Sequence, residues 1–216
     1  MVCVSETRVK ICGITNLDDA RAAVDLGAWA LGMIFYDGSP RRCELEQAAE
    51  VATALRRRVE LAGVFVNAPL DEILAVLESA PLSILQLHGD EGPSYCDEAR
   101  RRTGLKVMKA MRVRDRSAVR ALSSYRTDLH LLDAHVPGSF GGTGERFDWE
   151  LATAHPGKPP LVLSGGLDAD NVAEAIATAH PYAVDVASGV EAEPGRKDRD
   201  KLGRFFAAVQ GAPAPV

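Results

Sequence analysis

The sequence predicts an α/β fold, a single-domain (β/α)8 barrel, and three observations lead to this prediction. Short apolar runs alternate with helical segments eight times within 216 residues. Strands that are separated by helices run parallel, and their near-continuous apolar character indicates burial on both faces. The chain length suits eight βα units, whereas the first βα turn lacks the G-x-G-x-x-G fingerprint found in many open doubly wound sheets.

The strands are expected where apolar runs end in polar residues or glycine. The first strand contains Val9 and Ile11 and ends near Cys12. The other seven are expected at 30–35, 61–66, 83–87, 106–111, 129–133, 161–163 and 183–186.

The helices are expected where apolar residues recur with helical spacing. Asn16 is a candidate N-cap for the first helix, and Gly27 is a favoured stop after it. The helices are expected at 17–26, 45–57, 70–79, 94–102, 116–122, 149–154, 169–179 and 201–209. The barrel domain is thus expected to span 1–210, and the proline-containing residues 211–216 are expected to form a flexible tail.

Composition limits the classes of function. A net charge of −5 argues against a nucleic-acid partner bound mainly by electrostatics, and the short arginine runs at 56–58 and 100–102 suit helix C-termini better. No apolar run reaches the ~20 residues of a membrane span, and no signal peptide is recognisable. The four cysteines, Cys3, Cys12, Cys43 and Cys96, are widely spaced, which favours reduced thiols and a cytoplasmic protein.

The carboxyl ends of barrel strands meet at one rim, where active sites of this fold are built. Two late loops have the pattern of a phosphate site, because glycine lets backbone N–H groups approach an anion closely. They contain Gly165 and Gly166 after the seventh strand, and Ser188 and Gly189 after the eighth. The alternative is that these glycines only form tight turns.

Cys12 and Asp133 end the first and sixth strands, on different sides of the ring. A thiolate can remove a proton from carbon and a carboxylic acid can donate one, so the pair suits a separate base and acid. Taken singly, Cys12 could be a small buried hydrophobe and Asp133 a cap or a salt-bridge partner.

Three further candidates surround this pair. Arg41 has a guanidinium fork that suits a carboxylate, or it is simply solvated like Arg42. His88 is expected to be a rim histidine that hydrogen-bonds a loop, with a general base or metal ligand as alternatives. Gly142 lies in a glycine-rich loop, within 134–146, that is either a lid or a flexible connection. No His, Asp or Glu grouping has metal-ligand spacing.

A series of motifs runs from Val9 to about Phe206. They are KICGIT at 10–15, SPR at 39–41, GVFVN at 63–67, QLHG at 86–89, LLD at 131–133, GGTG at 141–144 with FDW at 147–149, LSGGL at 163–167 and VDVASGVE at 184–191. Together they resemble the phosphoribosylanthranilate isomerase family of tryptophan biosynthesis. One departure is Ala187, where many members have a serine.

The resemblance implies a (β/α)8 barrel that catalyses the Amadori rearrangement of N-(5′-phosphoribosyl)anthranilate to 1-(2-carboxyphenylamino)-1-deoxyribulose 5-phosphate. It implies that Cys12 is the general base, Asp133 the general acid and Arg41 the carboxylate-binding residue. The loops at 165–166 and 188–189 would bind the phosphate. It also implies a monofunctional enzyme without cofactor or metal, with a small phosphosugar as its partner and a monomeric or homodimeric state. Activity is expected to be bell-shaped in pH.

Three alternatives remain at this point. A related isomerase of histidine biosynthesis would have an acid instead of a thiol on the first strand. A pentose-phosphate epimerase would need metal-binding side chains on several strands. A non-catalytic phosphosugar-binding barrel would be free to lose Cys12 or Asp133, and both are present.

Overall fold

A computed structural model describes residues 7–134 and 148–212 of the chain. Eight parallel strands close into a barrel in chain order, which confirms the predicted (β/α)8 fold. The strands are β1 (Arg8–Cys12), β2 (Ala30–Ile34), β3 (Glu60–Phe65), β4 (Ile84–Leu87), β5 (Lys106–Val113), β6 (Leu129–Ala134), β7 (Leu161–Leu163) and β8 (Ala183–Val186).

Helical segments connect the strands and cover the outside of the barrel. The α-helices are α1 (Leu17–Asp25), α2 (Leu45–Leu55), α3 (Leu70–Ser79), α4 (Pro93–Thr103), α5 (Arg116–Ala121), α6 (Val172–Ala179) and α7 (Arg199–Gln210). Three 3-10 segments lie at Leu122–Ser124, Trp149–Ala154 and Ser188–Val190. Asn16 caps α1 as predicted, since its side-chain oxygen accepts a hydrogen bond of 2.8 Å from the backbone N–H of Asp19.

Strand alternation divides the core into two layers. Val9 and Ile11 on β1 pack with the helices in the outer layer, so Lys10 and Cys12 point into the barrel. The lower interior is apolar and contains Ala62, Ile84, Met108, Ala110, Leu129, Leu131, Val162 and Ala183. Towards the strand C-termini the interior becomes polar, and this change positions the site described below.

Several details differ from the sequence prediction. Residues 149–154 form a 3-10 segment instead of an α-helix. Helix α6 begins at Val172 instead of residue 169, because the side chains of Asp168 and Asn171 hydrogen-bond nearby backbone groups in a turn. Helix α7 begins two residues earlier than predicted, because Asp198 caps it through the N–H groups of Asp200 and Lys201, each at 2.9 Å.

A small antiparallel hairpin follows the barrel and was not predicted. It consists of β9 (Glu191–Glu193) and β10 (Arg196–Lys197). The predicted tail falls mainly on residues 213–216, outside the described residues, and so the domain boundary at 210 stays a prediction. Within 7–134 and 148–212, the structure has no helix with the length and apolar character needed to cross a membrane.

Gly203 gives a test of how helix α7 contributes to stability. A Cβ atom added at Gly203 would meet no other atom within 4 Å, so alanine should fit without strain. We expect Gly203→Ala to raise the free energy of unfolding by about 0.5–1 kcal/mol, because alanine loses less backbone entropy on folding. Urea denaturation measures this change in the free energy of unfolding.

Gly189→Ala is the opposite case, since its Cβ would collide with the carbonyl oxygen of Leu167, and it should be destabilising. An unchanged or lower stability for Gly203→Ala would contradict the prediction.

Candidate functional site

One cavity at the C-terminal ends of the strands contains most of the predicted site residues. Cys12, Arg41, His88 and Asp133 all line it. Tyr36, Ser39, Ser164, Asp185 and Ala187 contribute to the same lining. Cys12 and Asp133 therefore face one space from β1 and β6, and a single small molecule there could meet both.

The thiol of Cys12 lies above a buried ion pair. Lys10, two residues earlier on the same face of β1, places its Nζ 2.8 Å from Oδ1 of Asp185 on β8. Gly32 leaves room for this arrangement, since a Cβ there would lie 2.8 Å from Sγ of Cys12 and 3.0 Å from Nζ of Lys10. The ammonium group is thus a neighbour of the thiol inside the barrel.

The charges around Cys12 act in opposite directions on its ionisation. Burial raises the pKa of the Cys12 thiol, and the ammonium groups of Lys10 and Lys197 oppose this by favouring the thiolate. Burial opposes the charge on Lys10, but Asp185 and Cys12 together outweigh burial and hold the pKa of Lys10 above its ordinary value. The structure therefore describes a protonated thiol at neutral pH, beside a cation that stabilises its ionised form.

Asp133 is buried and held from two directions. Its Oδ1 accepts a hydrogen bond of 2.9 Å from the backbone N–H of Ala134, and its Oδ2 lies 3.1 Å from Nε2 of His88. His88 was predicted to bond a loop at the rim. Instead, its buried ring contacts the candidate acid, because β4 directs it towards the cavity next to β6.

Gln86 sets the proton positions on His88. The side-chain nitrogen of Gln86 lies 3.0 Å from Nδ1 of His88, so Nε2 carries the hydrogen and donates it to Asp133. In this orientation Oε1 of Gln86 is buried and has no hydrogen-bond partner among the described residues. Turning the amide over would pair Oε1 with a protonated Nδ1 and leave Nε2 to accept a proton from a neutral Asp133. The same two side chains, Gln86 and His88, can therefore hold Asp133 in either ionisation state.

Arg41 is buried, in contrast to its exposed neighbour Arg42. Its Nε lies 3.0 and 2.9 Å from the two carboxylate oxygens of Glu191, and its Nη2 lies 2.8 Å from Oε2. Gly13, with φ of +73°, makes room for this side chain, since a Cβ there would lie 2.8 Å from Cδ of Arg41. Nη1 makes no hydrogen bond to any described residue, and Arg41 lines the cavity.

The two glycine loops lie against each other beyond β7 and β8. Gly165 and Gly166 have φ values of +92° and +63°, and a Cβ at Gly165 would lie 2.7 Å from the backbone nitrogen of Ala134. Gly189 approaches the carbonyl of Leu167 too closely for any side chain. Neither Gly165 nor Gly166 donates its N–H to another described residue, so both donors can serve an anion. Ser188 begins the 3-10 turn beside them.

Other predictions fall outside what can be described here. Gly142 and the expected lid lie outside the described residues, apart from Ala134, which ends β6. Among residues 7–134 and 148–212, no three His, Cys, Asp or Glu side chains are grouped as metal ligands.

Sequence reasoning missed four charged residues that surround the site: Lys10, Asp185, Glu191 and Lys197. One signal was available. Lys10 and Asp185 are charges within otherwise apolar strands, which is costly without a partner. The two residues are each other's partners, however, and 175 residues separate them in the chain.

Comparisons with known proteins bear on the whole chain. The model of the N-(5′-phosphoribosyl)anthranilate (PRA) isomerase family matches residues 9–208. The chain belongs to this family.

Individual relatives agree with this assignment over nearly their full length. The chain is 53% identical over 204 residues to N-(5′-phosphoribosyl)anthranilate isomerase of Geobacter sp. strain M21, covering 94% of this chain and 98% of that protein. Phosphoribosyl anthranilate isomerase from Thermus thermophilus superposes with a TM-score of 0.86 at 38% identity, covering 94% and 98% of the two chains. A further phosphoribosyl anthranilate isomerase structure, in complex with reduced 1-(o-carboxyphenylamino)-1-deoxyribulose 5-phosphate, has a TM-score of 0.82 at 40% identity and coverage of 95% and 99%.

The ion pair below Cys12 gives a stability test. Lys10→Met would leave the carboxylate of Asp185 buried without its partner, and we expect a loss of about 3–5 kcal/mol in the free energy of unfolding. Lys106→Met is the matched control, because the pair of Lys106 with Glu60 is solvent-exposed on the lysine side and should contribute only about 0–1 kcal/mol. Urea denaturation measures both variants. Equal losses in the free energy of unfolding would show that the buried pair contributes no more to stability than the exposed pair.

Proposed function

We propose that this chain catalyses the Amadori rearrangement of N-(5′-phosphoribosyl)anthranilate to 1-(2-carboxyphenylamino)-1-deoxyribulose 5-phosphate, a step of tryptophan biosynthesis. The observation that carries the proposal is the family match over residues 9–208, in a chain whose thiol and carboxyl group face one cavity. The reaction moves protons within one molecule, so it calls for an acid and a base.

Asp133 is the proposed general acid. Protonation of the furanose ring oxygen lets the C1′–O bond break while the anilino nitrogen supplies its electron pair, which gives an open-chain iminium ion. The bond from His88 supports this role, because the two arrangements of Gln86 and His88 accommodate Asp133 before and after it donates its proton.

Cys12 is the proposed general base. The iminium ion withdraws electrons from C2′, and the thiolate removes the C2′ proton to give an enolamine, which tautomerises to the ketone. A cationic intermediate beside the sulfur stabilises the thiolate by the same Coulombic attraction that Lys10 and Lys197 exert. The thiol that burial keeps protonated must first release its proton to solvent, and the positive charge of the opening substrate favours this release. The resulting thiolate then takes the C2′ proton.

The remaining contacts hold the two ends of the substrate. Arg41 is proposed to bind the anthranilate carboxylate through Nη1, since its other edge is occupied by Glu191. The N–H groups around Gly165, Gly166, Ser188 and Gly189 are proposed to bind the phosphate. Ala187 has no hydroxyl group to donate to the phosphate, so backbone N–H groups supply more of the hydrogen bonds to it.

We propose that this reaction proceeds in the cytoplasm without a cofactor. Cys12, Cys43 and Cys96 are free thiols, as expected in a reducing compartment. In the scheme, Asp133 is the proton donor for ring opening and Cys12 is the proton acceptor for deprotonation at C2′.

A fluorescence assay tests the proposal, because the anthranilate group fluoresces differently in the substrate and in the ketone product. We expect turnover of N-(5′-phosphoribosyl)anthranilate by the purified chain. Ligand binding without turnover would instead indicate a phosphosugar-binding barrel, and turnover of an aminoaldose phosphate of histidine biosynthesis alone would indicate the related isomerase.

Removing either proton-transfer group should affect chemistry more than binding. We expect Cys12→Ser and Asp133→Asn each to lower kcat by about 10²–10⁴-fold with little change in substrate affinity. Cys96→Ala, at a buried thiol outside the cavity, is the control and should retain nearly full kcat. A loss of less than about threefold in Cys12→Ser would remove the thiol from the mechanism.

The ionisation of Cys12 can be followed directly. The ultraviolet difference between wild type and Cys12→Ser at 240 nm reports the Cys12 thiolate, and in the ligand-free protein it should develop only above the ordinary thiol pKa of 9.0. Burial raises the pKa values of Cys96 and Cys43 to about 11 and about 12, so these two thiols remain protonated over most of the titration. A Cys12 titration centred near pH 7 would mean that Lys10 and Lys197 outweigh burial.

A further inference from the structure

The hairpin of β9 and β10 lies beside the barrel and directs two charged side chains towards the site. Glu191 and Lys197 are almost completely buried, with side-chain exposures of 4% and 0%. Glu193 and Arg196 on the same hairpin are exposed, at 65% and 75%. The hairpin therefore has a buried, charged side that the apolar core does not explain.

Lys197 joins the ends of two barrel strands. Its Nζ donates to the carbonyl oxygen of Cys12 at 2.6 Å and to that of Ala187 at 3.3 Å. Cys12 is the proposed base, and Ala187 immediately precedes the proposed phosphate loop. One ammonium group thus fixes the backbone at both places.

Glu191 joins Lys197 to Arg41. Its Oε1 lies 2.8 Å from Nζ of Lys197, and both of its carboxylate oxygens contact Arg41. A two-point contact fixes the plane of a guanidinium as well as its position. Although burial opposes it, the hydrogen bond from Arg41 and the charge of Lys197 keep the pKa of Glu191 below its ordinary value, so the carboxylate is ionised at neutral pH.

The hairpin is itself anchored to the loop after β1. The hydroxyl of Thr15 donates to the carbonyl oxygen of Gly195 at 2.6 Å, and the backbone N–H of Lys197 donates to Asp19 at 2.8 Å. Lys201 from α7 donates to the carbonyl oxygen of Glu191 at 2.6 Å. These bonds hold the two buried charges in place from several sides.

We propose that Glu191 and Lys197 are positioning residues, which orient Arg41 towards the carboxylate of the substrate and fix the strand ends that carry Cys12 and the phosphate loop. The inference rests on the proposed function, because it assigns the carboxylate to Arg41.

The charges support a carboxylate as the group that is recognised. Burial lowers the pKa of Lys197, and the charge of Glu191 opposes this. The Nζ of Lys197 donates to three oxygens, as an ammonium group does. Arg41 and this ammonium group share the single carboxylate of Glu191, and so one positive charge remains without a counter-ion within this cluster. Nη1 of Arg41 makes no hydrogen bond to any described residue, and Arg41 lines the cavity. An aromatic carboxylate placed there would balance the charge and complete the donors of the guanidinium.

Two ligands distinguish a positioning role of Glu191 from a general loss of protein stability. Calorimetry on the full chain would measure binding of reduced 1-(o-carboxyphenylamino)-1-deoxyribulose 5-phosphate, which has both a carboxylate and a phosphate, and of inorganic phosphate, which has no carboxylate. We expect Glu191→Gln to weaken binding of the first ligand about 10- to 100-fold and binding of phosphate less than about threefold. Arg41→Ala should give the same selective loss, and Glu193→Gln, on the exposed side of the hairpin, should bind both ligands like wild type.

A shorter acid keeps the test usable if Glu191→Gln does not fold. Glu191→Asp retains the charge, but its side chain is one methylene shorter and holds the carboxylate farther from Arg41. We expect a smaller loss of affinity than in Glu191→Gln, again larger for the carboxylate ligand than for phosphate. In steady-state kinetics both variants should raise KM more than they lower kcat, whereas Lys197→Met should mainly lower kcat, because it frees the backbone at Cys12.

Three results would overturn the inference. They are unchanged binding of the carboxylate ligand in folded Glu191→Gln, equal weakening of both ligands, and a kcat of Lys197→Met that matches wild type. Absence of turnover by the wild-type protein would remove the proposed function instead. The two binding measurements need no turnover, and they would still decide whether Glu191 orients Arg41.

Discussion

The ion pair between Lys10 and Asp185 underlies both the closure of the barrel and its chemistry. The two residues are register partners on β1 and β8, the first and last strands of the barrel, and their charged atoms are 2.8 Å apart in a fully desolvated interior. Such a pair contributes more to specificity than to net stability, because desolvation offsets much of the Coulombic gain. Here it fixes one register at the seam and places a cation beneath the thiol of Cys12.

The site has two sides with different electrostatic character. On one side, the charges of Lys10 and Lys197 favour the ionised form of Cys12, whereas burial and the carboxylate of Asp185 oppose it. Arg41 lines the same cavity. On the other side, Asp133 is held by His88, which in turn contacts Gln86, and Asp133 has no salt bridge to Lys or Arg among the described residues. The proposed base therefore has two cations beside it that favour its thiolate against burial, and the proposed acid has hydrogen-bond partners that accommodate either state.

Local patterns in the sequence were enough to predict the barrel and the residues at its rim. Apolar runs located the eight strands, and the polar residues that end them, such as Cys12 and Asp133, could be assigned to one rim because parallel strands share a direction. The supporting charges could not be located in this way. Glu191 and Arg41 are 150 residues apart, and Lys197 and Cys12 are 185 apart, so nothing in the local pattern links them. The contact of His88 with Asp133 depends similarly on side-chain direction.

The order of the chain has a consequence for synthesis. Translation produces β1 first, but its thiol remains without its electrostatic surroundings until β8 has paired with it and residue 197 has reached the carbonyl of Cys12. A nascent polypeptide that has not yet reached residue 197 cannot have a complete site, however well its earlier βα units have folded. Closure of the seam and completion of the site are thus one late event.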